Sequence, residues 1–157
     1  MIAPNTPPTF REAREDDIGA IVDLLADDAL GSTREAAGGD IDPAYRKAFD
    51  AIQQDPNNRL IVAEHDGEVV GCMQLTAIPH LTFTGGKRMQ IEGVRVKEAF
   101  RSQQVGRRMI TWAINEARAA GCHLVQLTSN RQRADAMRFY ESVGFEPSHV
   151  GYKLYLK

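Results

Sequence analysis

The stretch MQIEGVRVKEAFRSQQVGRRMITWAINEARAAG, residues 89 to 121, decides the fold. Its first part reads as a strand (Met89 to Lys97), its middle as a short Arg-rich loop (Arg101 to Gly106), and the rest as an amphipathic helix (Val105 to Ala120) with Gly121 as C-cap. Val105, Met109, Ala113 and Ala117 recur at four-residue spacing, joined by Ile110 and Ile114. Arg107, Arg108, Thr111, Asn115 and Arg118 then face solvent or ligand. A strand feeding a helix through a short loop sets the positive end of the helix dipole, with its unpaired N–H groups, beside the strand's carboxyl end, where an anion binds well. His123 to Thr128 follows as a strand after a very short turn, so strand, helix and strand form a right-handed crossover with parallel strands.

Upstream, Leu60 to Glu64 and Glu68 to Ala77 flank the Asp66–Gly67 pair, which supplies the positive φ angles of a type I′ hairpin turn. Pro79 ends the second strand, and His80 to Lys87 is a loop. Residues 1–8 read as a loose tail before a single domain over 9–157. Thr9 to Ala13 is a short first strand. Asp16 or Asp17 caps a helix carrying Ile18, Ile21, Val22, Leu24 and Leu25, and Asp27 to Asp42 is a mobile connection. Pro43 opens a second helix, which Pro56 and Asn57 stop. Downstream, Asn130 to Arg133 lead into a helix, Ala134 to Val143, ended by Gly144. Tyr152 to Leu156 alternates apolar and polar residues as a last strand. The expected class is α/β: a mixed, mostly antiparallel sheet flanked by helices.

The chain has 157 residues, of which 43% are hydrophobic, enough for one sizeable core. A formal net charge of −2 argues against broad binding to nucleic acid or membrane surfaces, although arginines cluster around the loop. No apolar run reaches the roughly 18 residues of a membrane span, and the start of the chain has neither the basic nor the apolar region of a signal peptide, which points to the cytoplasm. Cys72 and Cys122 lie far apart without metal-ligand spacing, so buried thiols are expected rather than a disulfide or a metal site.

Arg101 and Gly106 in the loop Arg101, Ser102, Gln103, Gln104, Val105, Gly106 resemble the signature of the Gcn5-related N-acetyltransferase family: Arg or Gln, two residues, Gly, one residue, then Gly or Ala. A second block, Asn130 with Ala136, Phe139, Tyr140, Glu141, Gly144 and Phe145, is similar to that family's closing segment. Within the family, the Arg138–Phe139–Tyr140 run and the Ser148–His149 pair resemble the aminoalkylphosphonate type. The chain departs from the signature at Gln104, where the first Gly usually sits; a side chain is tolerated there if φ is negative.

The resemblance implies acetyl-CoA as co-substrate, a small-molecule amine as acceptor, no metal, and a homodimer. It further implies that the backbone amides from Arg101 through Ser102, Gln103, Gln104, Val105 and Gly106 hold the pyrophosphate, with Arg107 or Arg108 adding charge. The backbone of Val94, Arg95 and Val96 would pair with the pantetheine arm where the parallel strands splay, and Asn130 would touch the cofactor. Gly93 fits a splay or bulge, since Gly otherwise weakens a strand interior. Tyr140 matches the family tyrosine that meets the leaving thiolate, and a phenol is a sensible proton donor to one. Glu92 stands where some relatives carry the amine's base. His80 is its rival at the acceptor side, because imidazole titrates near neutrality. Acetylation of protein N-termini or lysines and a non-catalytic acyl-CoA-binding regulator are the alternatives.

Overall fold

The computed structural model describes residues 6–157; of the expected tail, residues 1–5 lie outside the described residues and 6–8 form no helix or strand. Two compact units result, Met1–Gln126 and Leu127–Lys157. In the first, chain order runs β1 (Thr9–Glu12), α1 (Ile18–Ala26), α2 (Pro43–Gln54), β2 (Asn58–His65), β3 (Glu68–Pro79), a single turn α3 (Thr82–Gly85), β4 (Lys87–Val96), α4 (Val105–Ala119) and β5 (Leu124–Leu127), whose last residue opens the second unit.

The strands lie side by side in the order β1-β2-β3-β4-β5. The first three pairings are antiparallel, and β4 with β5 is the one parallel pair. Asp66 and Gly67 have φ of 49° and 80°, as a type I′ turn requires, so the hairpin is built as its sequence indicates. Both faces of the central strands are covered. Val62 and Cys72 join Ile18, Ile21, Val22 and Leu24 of α1 and Phe49 of α2 in one buried cluster. The other face meets α4, whose Val105, Met109, Ile110, Ala113 and Ala117 are buried. Gly71 makes that approach possible: a Cβ there would stand 2.9 Å from the Met109 sulfur and 3.0 Å from the Arg95 carbonyl oxygen.

Polar residues fix the ends of these elements. Asp42 caps α2 by accepting from the Ala44 amide at 2.8 Å, and Pro43 occupies the first turn. At the start of α1, the buried Asp17 carboxylate accepts from the Arg14 amide at 2.7 Å and from both terminal nitrogens of Arg11 at 2.7 and 3.0 Å. That guanidinium holds the Asp17 carboxyl below its ordinary range against the opposing effect of burial. Past α4, Gly121 takes φ 74° and the Cys122 amide reaches back to the Ala117 carbonyl at 2.9 Å, which closes the helix.

The second unit holds α5 (Ala134–Ser142), with no fully buried residue. The expected strand over Tyr152–Leu156 is absent: these residues form neither helix nor strand, and their side chains stand in solvent. Alternation encodes which side chains share a face, but a strand exists only where a neighbour accepts its backbone hydrogen bonds.

Candidate active site

The middle of β4 departs from a regular ladder. Cys72 pairs with Arg95 and Gln74 with Glu92, so Gly93 and Val94 together oppose Met73 alone. Gly93 has φ +60°, while a Cβ there would stand 3.7 Å from Leu25, an ordinary contact. Backbone conformation, not space, therefore requires glycine, and the result is a β-bulge of the kind its place in the strand suggests. The Glu92 side chain is exposed at the lip of the bulge and makes no hydrogen bond or ion pair among the described residues.

On the opposite edge β4 outruns its parallel partner. Gln126 of β5 donates to Gln90 at 2.7 Å, and β5 stops at Leu127. With the His123 amide on the Lys87 carbonyl, β5 ends before Glu92, and from there on β3 is the strand neighbour of β4 among the described residues. Two arginines bond the carbonyls of this stretch: Arg95 donates to Val94 at 2.8 Å and Arg101 to Val96 at 3.1 Å. The same arginines meet the end of α1 and the connection after it, Arg101 on Asp27 at 3.3 Å and Arg95 on Asp28 at 3.6 Å. These contacts tie the expected pantetheine edge and phosphate loop to the end of α1 and the connection after it.

The loop ends at α4, whose first turn exposes amide donors along the helix axis. Gln104 is its N-cap residue and offers no side-chain cap. Its φ is +64°, so the condition under which a side chain is readily tolerated is not met: the backbone keeps the left-handed shape that Gly allows, and the side chain bears a steric cost of about 1–2 kcal/mol. Arg107 and Arg108 leave the same helix start and, with Gln104, Thr111, Trp112 and Asn115, line a shallow groove of about 450 Å³ along α4. Amides at a helix start with two guanidiniums beside them suit a phosphorylated donor, and a carbonyl-bearing strand edge suits its amide arm.

Sequence reasoning missed a polar row across the sheet. The Asn58 side-chain oxygen accepts from Thr76 at 2.6 Å and from Gln74 at 3.0 Å. Gln126 joins Gln90, and Arg88 reaches Gln126 at 3.3 Å while its Nε is buried without a hydrogen-bond partner. Polar residues at alternate positions, 74 and 76 on β3 and 88, 90 and 92 on β4, were the available signal.

The remaining candidates belong to other elements. His80 lies where β3 meets α3, at the end of the hairpin where Pro79 faces Lys87. Five residues of strand separate that end from Glu92, about 17 Å. Its Nδ1 lies 2.9 Å from the Thr82 carbonyl oxygen and 2.7 Å from the Thr82 hydroxyl, and its Nε2 lies 3.1 Å from His123 Nε2. In the second unit, Tyr140 lies half-buried on α5 with the rings of Phe139 at 5.3 Å and Phe145 at 5.9 Å. Asn130 precedes that helix and accepts from the Gln132 amide at 2.9 Å. Both cysteines are free, and burial pushes the Cys72 thiol up to about 12, which leaves it protonated and non-nucleophilic near neutrality.

Residues 20–145 match the family model described as Acetyltransferase (GNAT) family. The chain is 37% identical over 109 residues, 68% of each chain, to an aminoalkylphosphonate N-acetyltransferase of Salmonella typhimurium. Over the same length and share it is 32% identical to an IAA acetyltransferase of Azospirillum brasilense. Among solved structures it superposes with a TM-score of 0.92 on a transcriptional regulator from Bacillus halodurans C-125, at 47% identity, covering 95% of this chain and 99% of that one. A bulged strand, a short loop and an amide-bearing helix start, joined to these matches, make the chain a member of the GNAT acetyltransferase family and an N-acetyltransferase by class.

Proposed function

We propose that the protein moves an acetyl group from acetyl-CoA to the primary amine of a small molecule by direct attack, acting in the cytoplasm as a homodimer. The observation that carries the reading is the bulge at Gly93, which exposes Glu92 beside a strand edge that β5 leaves open. The donor supplies a thioester carbonyl with a thiolate leaving group. Residues Arg101 to Gly106 and Arg107 hold its phosphates, the backbone of Val94, Arg95 and Val96 holds its amide arm, and Asn130 adds a contact.

Glu92 takes a proton from the incoming ammonium, which frees the lone pair for attack on the carbonyl carbon. As the carbon–sulfur bond breaks, the Tyr140 hydroxyl gives its proton to the departing sulfur. His80 borders the acceptor side, and its distance along the hairpin from Glu92 leaves the base role to the carboxylate. A small acceptor is supported by the similarity to a relative described as an aminoalkylphosphonate N-acetyltransferase. A peptide would need a longer open groove.

Free-thiol release in the presence of acetyl-CoA and a panel of small amines, aminoalkylphosphonates and short peptides tests the reading. Amine-dependent release is expected, and Tyr140→Phe should lower kcat by about 10–100-fold with acetyl-CoA affinity unchanged. An unaltered kcat removes Tyr140 from the acid role. A second reading, a regulator that binds acyl-CoA without turnover, is favoured by the Bacillus halodurans relative described as a transcriptional regulator. Calorimetric binding of acetyl-CoA with no thiol release on any acceptor would select it.

A further inference from the structure

The tip of the β3–β4 hairpin meets the entry of β5 through two histidines. His80 Nε2 and His123 Nε2 lie 3.1 Å apart across 43 residues of chain, with ring centroids 5.2 Å apart and planes crossing at 71°. The rings therefore meet nitrogen to nitrogen and do not stack. His80 is half-buried and His123 exposed, so water reaches the pair. Two imidazole nitrogens on one transition-metal ion, each about 2.1 Å from it, stand about 3.0–3.4 Å apart for angles between right-angled and tetrahedral. The observed spacing falls within that range.

The backbone around the pair is shaped to keep it. A Cβ on Gly86 would stand 2.7 Å from His123 Cδ2, 3.0 Å from His123 Nε2 and 3.2 Å from His80 Cε1, so the imidazoles occupy the space a side chain would take. Phe83 and Thr84 have φ of 53° and 58°, a left-handed conformation that an aromatic and a β-branched residue rarely adopt. Strain of this kind persists where the surroundings over-determine it, ligand clamps among them. The surroundings here are the histidines themselves: the Phe83 ring lies 4.7 Å from that of His123 and 6.0 Å from that of His80. A ligating imidazole usually gives its other N–H to a carbonyl or carboxylate. The Thr82 carbonyl oxygen, 2.9 Å from His80 Nδ1, is in place for that role.

We propose that His80 and His123 bind a divalent transition-metal ion through their Nε2 atoms, with water in the remaining positions, and that the ion clamps the hairpin tip to the entry of β5. The class of ion follows from the donors: imidazole suits zinc, nickel and copper, whereas magnesium and calcium take oxygen. On binding, the proton held by one Nε2 moves to Nδ1 of the same ring, both Nε2 lone pairs go to the ion, and no electron is transferred. Among the described residues no group of three or more His, Cys, Asp or Glu is placed to hold one ion. Two protein ligands therefore define the site, and it binds more weakly than a four-ligand structural zinc site. The ion takes no part in acetyl transfer. His80 is the one residue shared with the proposed acceptor side, and the clamp does not depend on that reading.

Calorimetric titration of the full chain, free of any affinity tag, with zinc chloride and nickel chloride tests the site, and amide hydrogen exchange tests the clamp. One ion per chain is expected, with no binding of magnesium. Affinity should fall at least tenfold in His123→Gln and in His80→Gln, and should hold within about twofold in His65→Gln, whose imidazole ends β2 at the other hairpin. Zinc should slow exchange of the 81–87 amides at least threefold in the wild type and leave it unchanged in His123→Gln. No binding at about 1 mM metal overturns the inference. So does an affinity that survives His123→Gln, or one lost in Cys122→Ser alone, which would put the ion on the neighbouring thiol. Exchange at 81–87 that ignores bound zinc overturns the clamp.

Discussion

The arm from β4 through α4 and the block from Leu127 to Lys157 carry the two halves of the proposed chemistry on opposite physical footings. The first is anchored in a core: Met89 and Ile91 of the strand and five residues of the helix are buried, and arginines bond the carbonyls at its open edge. The second holds Asn130 and Tyr140 yet contains no buried residue, and its last seven residues make no hydrogen bond among the described residues. The proposed donor site is thus built on a buried element. The proposed proton donor sits on a helix with no buried residue, whose local opening is expected to cost less than global unfolding.

The sharpest way to break that contrast is a matched pair of truncations. Met109→Ala removes a fully buried side chain packed at Gly71 and should cost about 2–5 kcal/mol of global stability, read from the denaturant midpoint. Phe139→Ala on α5 removes a half-buried ring and should move the same midpoint by less than about 1 kcal/mol, while speeding exchange of the α5 amides. Equal losses from the two would show a single cooperative unit and sink the comparison.

Acid should act on the first region through Asp17. The folded Asp17 carboxyl lies below its ordinary value of 3.8 because Arg11 bonds it. Its contribution is therefore fully present above about pH 4 and is lost as pH falls through the depressed folded value. Asp17→Asn should cost about 2 kcal/mol at pH 7, the scale of a hydrogen bond to a charged group, and the gap to wild type should close below about pH 4. Chemical unfolding at pH 7, 5 and 3 reads the gap. A gap constant with pH would mean that the carboxylate's charge contributes nothing.

What could be read from residues alone follows the same division. The hairpin at Asp66–Gly67, the buried stripe of α4 and the bulge at Gly93 were legible because each is written locally, in turn chemistry, periodicity or a glycine inside a strand. The polar row from Asn58 to Gln126 was not, since it joins four strands whose register no local pattern fixes. The pairing of His80 with His123, 43 residues on, was hidden for the same reason. Tyr152 to Leu156 shows the limit most plainly. Its alternation was read correctly as a pattern, but the pattern does not name the neighbour that would turn it into a strand.

Gln104 is where motif and conformation part, and it supports the smallest expected effect. At φ +64° and ψ 11° the residue keeps the left-handed backbone of the motif's glycine while carrying a side chain. Replacement by glycine relieves about 1–2 kcal/mol of steric cost and returns about 0.5–1 kcal/mol through the freer unfolded chain. Gln104→Gly should therefore stabilise the fold by roughly 0.5–1 kcal/mol, seen as a higher denaturant midpoint at unchanged slope. Because the loop backbone already has the required shape, acetyl-CoA affinity should change less than about threefold, under ~0.7 kcal/mol. A large gain in affinity would mean that the glutamine side chain stands in the phosphate site, and a loss of stability would mean that its contacts along the α4 groove outweigh the strain.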